Sequence, residues 1–167
     1  MPQDVTIKIK GFYIGMDIQS LPALLREELE GKTQWIISDV AKITTEITNT
    51  TRPEDFIVSI KDSTSQTGRF FAYFQADPEG KVIRFDLSPR VVNDLFNSGD
   101  MDASDFVQQF IAAYHIPEMK VLNDNGFSDR SVYSMNYCTY TSPYGVRIRV
   151  TETKEVVVDK VAISKFD

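Results

Sequence analysis

The sequence predicts an α+β fold: two approximate repeats, each with helices followed by a three-stranded antiparallel meander, the helices packed on one sheet face. Three observations predict it. Strand-like runs come in threes, near 56–87 and 131–164, joined by turn residues rather than by helices. Helical patterns stand apart from these runs, which favours segregated layers over alternating βα units. Eleven Phe, seven Tyr and one Trp supply the bulk for a core. The whole chain reads as a single domain made of two pseudo-repeats, about 1–87 and 88–167.

The first element is a strand. Val5, Ile7 and Ile9 alternate with Thr6, Lys8 and Lys10, the period of a strand with one buried face. Gly11–Asp17 leads to a helix whose stripe is Leu21, Leu24, Leu25 and Leu29, with Gly31 as its stop. Ser20 is the better N-cap, because Asp17 would place Pro22 too deep in the helix. Residues 33–48 are ambiguous. Ile36, Val40, Ile43 and Ile47 fit a helical spacing, yet the stretch is rich in β-branched residues. A second helix fraying at Asn49–Pro53 is the reading adopted.

The first meander has strands at Phe56–Lys61, Arg69–Gln75 and Lys81–Leu87, with turns at Asp62–Gly68 and Asp77–Gly80. Ser88-Pro89 then reads as a cap and a proline at the first helical position, with Val92, Leu95 and Phe96 following. Asn97-Ser98-Gly99 ends that helix. Asp102 caps the next, whose apolar face is Phe106, Val107, Phe110, Ile111 and Tyr114, and Pro117 stops it. After a loop at Asn123–Arg130, the second meander runs Ser131–Thr141, Val146–Thr151 and Glu155–Ser164. Its turns fall at Ser142–Gly145 and Glu152–Lys154.

Gly11–Leu25, with Gly15-Met16-Asp17 at a strand-to-helix junction, resembles the opening of the outer-membrane assembly lipoprotein family BamE (SmpA/OmlA). The duplicated pattern, with glycine-led strands at Gly80–Ile83 and Gly145–Ile148, is similar to the related β-lactamase inhibitor protein fold. The sequence lacks the lipobox cysteine of the former and the cysteine pairs of the latter. The resemblance implies a non-enzymatic domain that binds another protein through its sheet or edge loops, and it carries over no binding residues.

Composition narrows the chemistry. The net charge of −6 disfavours a nucleic-acid backbone, which needs clustered Lys and Arg to displace counterions. No run approaches the roughly 18 consecutive apolar residues of a membrane span. The N-terminus as written carries no leader pattern. Two locations stay open: cytoplasmic as written, or the cell envelope after removal of a leader. One histidine and one cysteine exclude a Cys₂His₂ zinc site and a disulfide framework within one chain. No cofactor or metal is expected, and no catalytic residue is assigned.

The remaining candidates have plain structural explanations. His115 suits the dipole at a helix end. Cys138, mid-strand, reads as a buried small residue. Asp100, Asp102 and Asp105 imitate a calcium loop, but its sixth and twelfth positions hold Asp105 and Ile111. Asn123–Gly126 reads as a turn and Glu27, Glu28 and Glu30 as a solvated helix face. There is no phosphate-binding glycine motif.

The aromatic strands are the chosen binding candidates. Phe70, Ala72 and Phe74 share one face of their strand; Phe71 and Tyr73 share the other. Tyr133, Met135 and Tyr137 line one face of a later strand, and Tyr140 and Tyr144 flank its turn. Candidate partner-binding residues are therefore Phe71, Tyr73, Tyr133, Tyr137, Tyr140 and Tyr144, since Tyr combines contact area with a polar tip. The expected function is a non-catalytic protein-interaction or accessory domain with a protein partner or with itself. A small-ligand or lipid-binding domain is the alternative, and a carboxylate-based hydrolase ranks below it.

Overall fold

The computed structural model describes residues 7–42, 55–64, 70–116, 120–121 and 136–161. A 3₁₀ turn, Ile18–Ser20, leads into α1, Leu21–Glu28. Two short strands follow, β1 at Trp35–Ile37 and β2 at Ala41–Lys42. The first meander is β3 (Phe56–Asp62), β4 (Phe70–Ala76) and β5 (Val82–Leu87). Two helices come next, α2 (Pro89–Phe96) and α3 (Ala103–Tyr114). The last strands are β6 (Lys120–Val121), β7 (Asn136–Thr141), β8 (Val146–Thr151) and β9 (Val156–Lys160).

The fold is α+β, and the described residues form three α-helices and an antiparallel sheet. The sheet follows the order β1-β3-β4-β5-β9-β8-β7-β6, and β2 pairs farther along β3. β5 and β9 meet at its centre, with Phe85 opposite Val158 and Leu87 opposite Val156. A meander can be sequential because each hairpin needs only a short turn. The β5–β9 pairing is different: it brings together segments some 70 residues apart.

Alternate strand residues build the core. Ala72, Phe74, Phe85, Leu87, Val156, Val158, Ile148 and Val150 are buried in one cluster with Leu21 and Leu25 of α1, Val91, Val92 and Leu95 of α2, and Phe106, Val107 and Phe110 of α3. Phe74 and Phe85 stack with ring centres 5.2 Å apart, and Phe12 stands 5.2 Å from Phe74. On the helical side Phe96 packs edge-on against Phe106 at 5.5 Å and Phe110 at 5.9 Å. Such tilted and offset rings add to the burial of their area.

The helix termini follow local chemistry. Asp17 Oδ1 accepts from the Gln19 amide at 2.9 Å, so Asp17 caps the 3₁₀ turn. Ser20 occupies the N-cap of α1 without a side-chain bond, and Pro22 sits harmlessly in the first turn. Asp102 Oδ1 accepts from the Asp105 amide at 2.8 Å and opens α3. Asn97 and His115 close α2 and α3 in the left-handed region, with φ of 52° each.

Two expectations are corrected. The helix expected from residue 33 is instead β1 and β2, where Trp35 pairs with Asp62 and Ala41 with Ile57. The β-branched pair Ile36-Ile37 suits the pleated edge of β3, and that pairing overrides the helical spacing. Residues 43–54 lie outside the described residues. The expected first strand also fails to extend through Lys10. Lys10 and Gly11 have φ of 53° and 84°, and Ile9 and Phe12 exchange backbone hydrogen bonds across them at 2.8 Å each. This two-residue turn reverses the chain. Gly11 also lets the backbone approach Leu24, whose Cδ2 lies 3.3 Å from where a Cβ would stand. The chain then runs beside β5, with the Val82 amide donating to Met16 O and the Ile18 amide to Gly80 O. The strand β6 had no sequence signal.

One buried cation fastens the turn between β8 and β9 to the helices. Lys154, 9% exposed, donates to Ser98 O and Met101 O at 2.7 Å each. These carbonyls lie in the connection from α2 to α3, so the ammonium fixes where the helix pair sits over the sheet.

Candidate functional site

The other face of the same strands is built of different residues. Their register sets two rows across the sheet. One reads Ser59, Tyr73, Asp86, Val157, Arg149 and Thr139; the other reads Ile57, Gln75, Arg84, Asp159, Arg147 and Thr141. Cross-strand neighbours in such rows have Cβ atoms within reach of each other. Opposite charges meet there.

Asp159 is the hub. Arg147 donates to it twice, Nε to Oδ1 at 3.1 Å and Nη2 to Oδ2 at 2.7 Å. Arg149 Nη2 lies 3.5 Å from the same Oδ2. The fork matches the carboxylate, which makes it the strongest pair on this face. Asp159 raises the Arg147 pKa, chiefly through that hydrogen bond. Burial lowers that of Arg149, and repulsion from Arg147 adds to it. Arg84 approaches Asp86 at 3.6 Å, and its guanidinium lies 5.9 Å from the Tyr73 ring centre. Burial raises the Tyr73 pKa, so its hydroxyl stays protonated and can donate. Among the described residues, the buried Nε atoms of Arg84 and Arg149 have no hydrogen-bond partner.

A pocket of about 340 Å³ opens where β4, β5 and the start of β9 reach α2. Phe71 and Tyr73 line it together with Asp86, Ser88, Arg90 and Glu155. Arg90 pairs with Asp62 at 2.9 Å and lies over the rings of Phe71 and Trp35, 5.1 and 5.6 Å from their centres. Thr64 donates its amide and hydroxyl to Asp62 Oδ1, and with Arg90 these bonds hold the Asp62 carboxyl below its ordinary pKa. Beneath them, Trp35 Nε1 and Gln34 Nε2 donate to Asp94 Oδ2 at 2.6 and 2.7 Å. This network fixes α2 against the sheet edge.

The aromatic candidates do not form one described surface. Phe71 and Tyr73 share the pocket. Tyr140 is half-buried against the core, on the side opposite the charged rows. Tyr144 is 41% exposed at the β7–β8 turn, beside a different pocket. Tyr137 belongs to β7, but its side chain lies outside the described residues, as does all of Tyr133. The charged rows were missed as a site. Their signal was legible in Arg84-Phe85-Asp86 and Arg147-Ile148-Arg149, where charges two apart flank a core residue.

Other reactive groups sit elsewhere. His115 is exposed at the end of α3. Cys138 is fully buried in β7, and burial pushes its thiol up to about 11, far from a thiolate nucleophile. Asp102 acts as a cap, and Asn123–Gly126 lies outside the described residues. Among the described residues no cluster of His, Cys, Asp and Glu is placed to hold a metal, and no helix is long and apolar enough to cross a membrane. The charged rows and the pocket present charged, hydrogen-bonding and aromatic groups. No protein-family model, curated protein or solved structure matches the chain.

Proposed function

We propose that the protein is a non-catalytic interaction domain that engages a protein partner, or a second copy of itself, through the charged face of the sheet. The observation that carries this reading is the pair of rows across β4, β5, β9, β8 and β7. They place Tyr73, Arg84, Arg147 and Arg149 on one continuous face. Tyr and Arg are the residue types that most often anchor interfaces. The Arg84 and Arg147 side chains are 36% and 35% exposed, and their guanidinium groups give a partner's carbonyl or carboxylate donors to bind.

The resemblance to the β-lactamase inhibitor protein fold and to BamE supports the same reading. So does the strand order, which runs inward from each edge in chain order until β5 meets β9. On this proposal the halves are copies of one helix-and-meander unit, and joining them creates a face wider than either half.

The test is capture of partners from a source lysate, with sedimentation of the purified chain in parallel. Arg149→Ala and Tyr73→Ala are expected to lose a specific partner, or to dissociate a self-associated form, while the far-UV spectrum and melting temperature stay near those of the parent. A monomer with no specific partner, or binding unchanged in both variants, overturns the reading.

A further inference from the structure

We infer that the pocket at the turn end of the sheet binds a small apolar carboxylate, a short acyl chain or a single ring carrying one negative charge. None of its residues belongs to the two charged rows, so the inference stands independently of the proposed protein partner.

The pocket, of about 240 Å³, lies between the N-terminal segment at Ile7 and Ile14 and the turns that join β4 to β5 and β7 to β8. Strand register explains its lining. Ile148 and Val158 oppose each other and are buried, and Val146 and Lys160 oppose each other two residues farther along. Side chains two apart share a sheet face, so Val146 and Lys160 carry the core face past the end of the core. Ile7, Ile14 and Ile83 are half-buried beside them, and Tyr144 is 41% exposed. The core face thus ends in an apolar recess with a lysine on its wall.

Donors without acceptors gather here. Lys81 and Lys160 both border the pocket, and among the described residues neither has an ion-pair partner. Ser142 supplies a third donor. Its Oγ accepts the Tyr144 amide at 3.2 Å and the Val146 amide at 3.1 Å, which uses both lone pairs. Its own proton is left to donate and has no acceptor among the described residues. Asp77 also lines the pocket, but its Oδ1 accepts from the amides of Glu79 and Lys81 at 3.0 Å each. That carboxylate is committed to its turn, and two ammonium groups outweigh its single charge.

A carboxylate bound here meets two ammonium groups and a hydroxyl, while its carbon body covers Ile7, Ile14 and Val146. A free amino acid fits worse, because its own ammonium would face the lysines. The volume suits a short chain or one ring and excludes a long acyl chain or a nucleotide.

The experiment is an amide NMR titration of the full chain at neutral pH with hexanoate, acetate, hexan-1-ol and hexylammonium. Saturable shifts at Lys81, Tyr144 and Lys160 are expected with hexanoate. Each of the other three, lacking either the apolar body or the negative charge, is expected to bind at least about tenfold more weakly. Lys81→Gln and Lys160→Gln each change an exposed residue, so the fold is expected to stand. Each should weaken hexanoate about fivefold and leave hexan-1-ol unchanged. Lys32→Gln, an exposed lysine outside the pocket, should change neither. Hexan-1-ol or hexylammonium binding as tightly as hexanoate overturns the proposal. Equal weakening by Lys32→Gln also overturns it, because the attraction would then belong to positive charge in general. Absence of saturable shifts up to about 10 mM hexanoate overturns it outright.

Discussion

The two faces of the central strands are one residue apart in sequence and opposite in physics. On one, Phe74, Phe85, Val158 and Ile148 are shut away from water and held by area and shape. On the other, Gln75, Arg84, Asp159 and Arg147 occupy equivalent positions and are held by charge geometry. The core face is worth more per residue, because each buried ring or branched side chain removes apolar area from water without desolvating a charge. The charged face contributes less stability. Its ions are partly dehydrated, and the Nε atoms of Arg84 and Arg149 are buried without a hydrogen-bond partner among the described residues.

The sharpest test of this inequality is Phe85→Ala. It removes a ring that stacks on Phe74 at the junction of the two meanders, and a loss of about 3–5 kcal/mol is expected in chemical denaturation. A loss no greater than that of any charged-face variant would break the comparison.

Lys154→Met comes next. It keeps the volume and deletes two bonds to the α2–α3 connection, so about 2 kcal/mol should be lost. Hydrogen exchange is expected to accelerate in α3 more than in β4, and equal acceleration in both would argue against a tether.

On the charged face, an Arg147→Ala/Asp159→Ala double-mutant cycle should give a coupling of about 1 kcal/mol. The geometry is bidentate, but the Arg147 side chain is 35% exposed and solvent screens the pair. A coupling near zero would reduce the rows to ornament on the sheet.

The smallest effect is one of pH. The folded Asp62 carboxyl is held below its unfolded value, so its contribution is present above that value, near pH 4, and is lost as pH falls through the depressed folded pKa. The stability gap between the parent and Asp62→Asn should therefore narrow below about pH 4. A gap constant from pH 7 to pH 2 would show that the Thr64 and Arg90 contacts do not hold the charged form.

Much of the fold was legible. Pro89 after Ser88 and Asp102 before a clean apolar stripe located α2 and α3, because caps and prolines act within a single turn of chain. The meander strands were legible by their alternation and by the turns between them. The edge segments β1 and β2 were not, because a short strand owes its state to the partner it meets and not to its own propensity. The site was legible only in fragments. The alternation of Arg and Asp stood in the sequence, but aromatic residues drew the greater weight, and Tyr140 proved to face the core.

By itself the sequence determined the class of the fold, the helix boundaries after residue 87, the two meanders, and that one histidine and one cysteine cannot build a Cys₂His₂ zinc site or a disulfide framework within one chain. Local signals suffice for these, since they depend on neighbours three or four residues away or on counts. Only the tertiary structure decided that β5 lies against β9, that Arg84 and Arg147 flank Asp159, and that Phe71 and Glu155 border one pocket. Apart from Arg147 and Asp159, which are 12 positions apart, those juxtapositions join residues some 70–85 positions apart. Hydrophobic burial drives such strands together without specifying which polar residues the register then aligns on the opposite face.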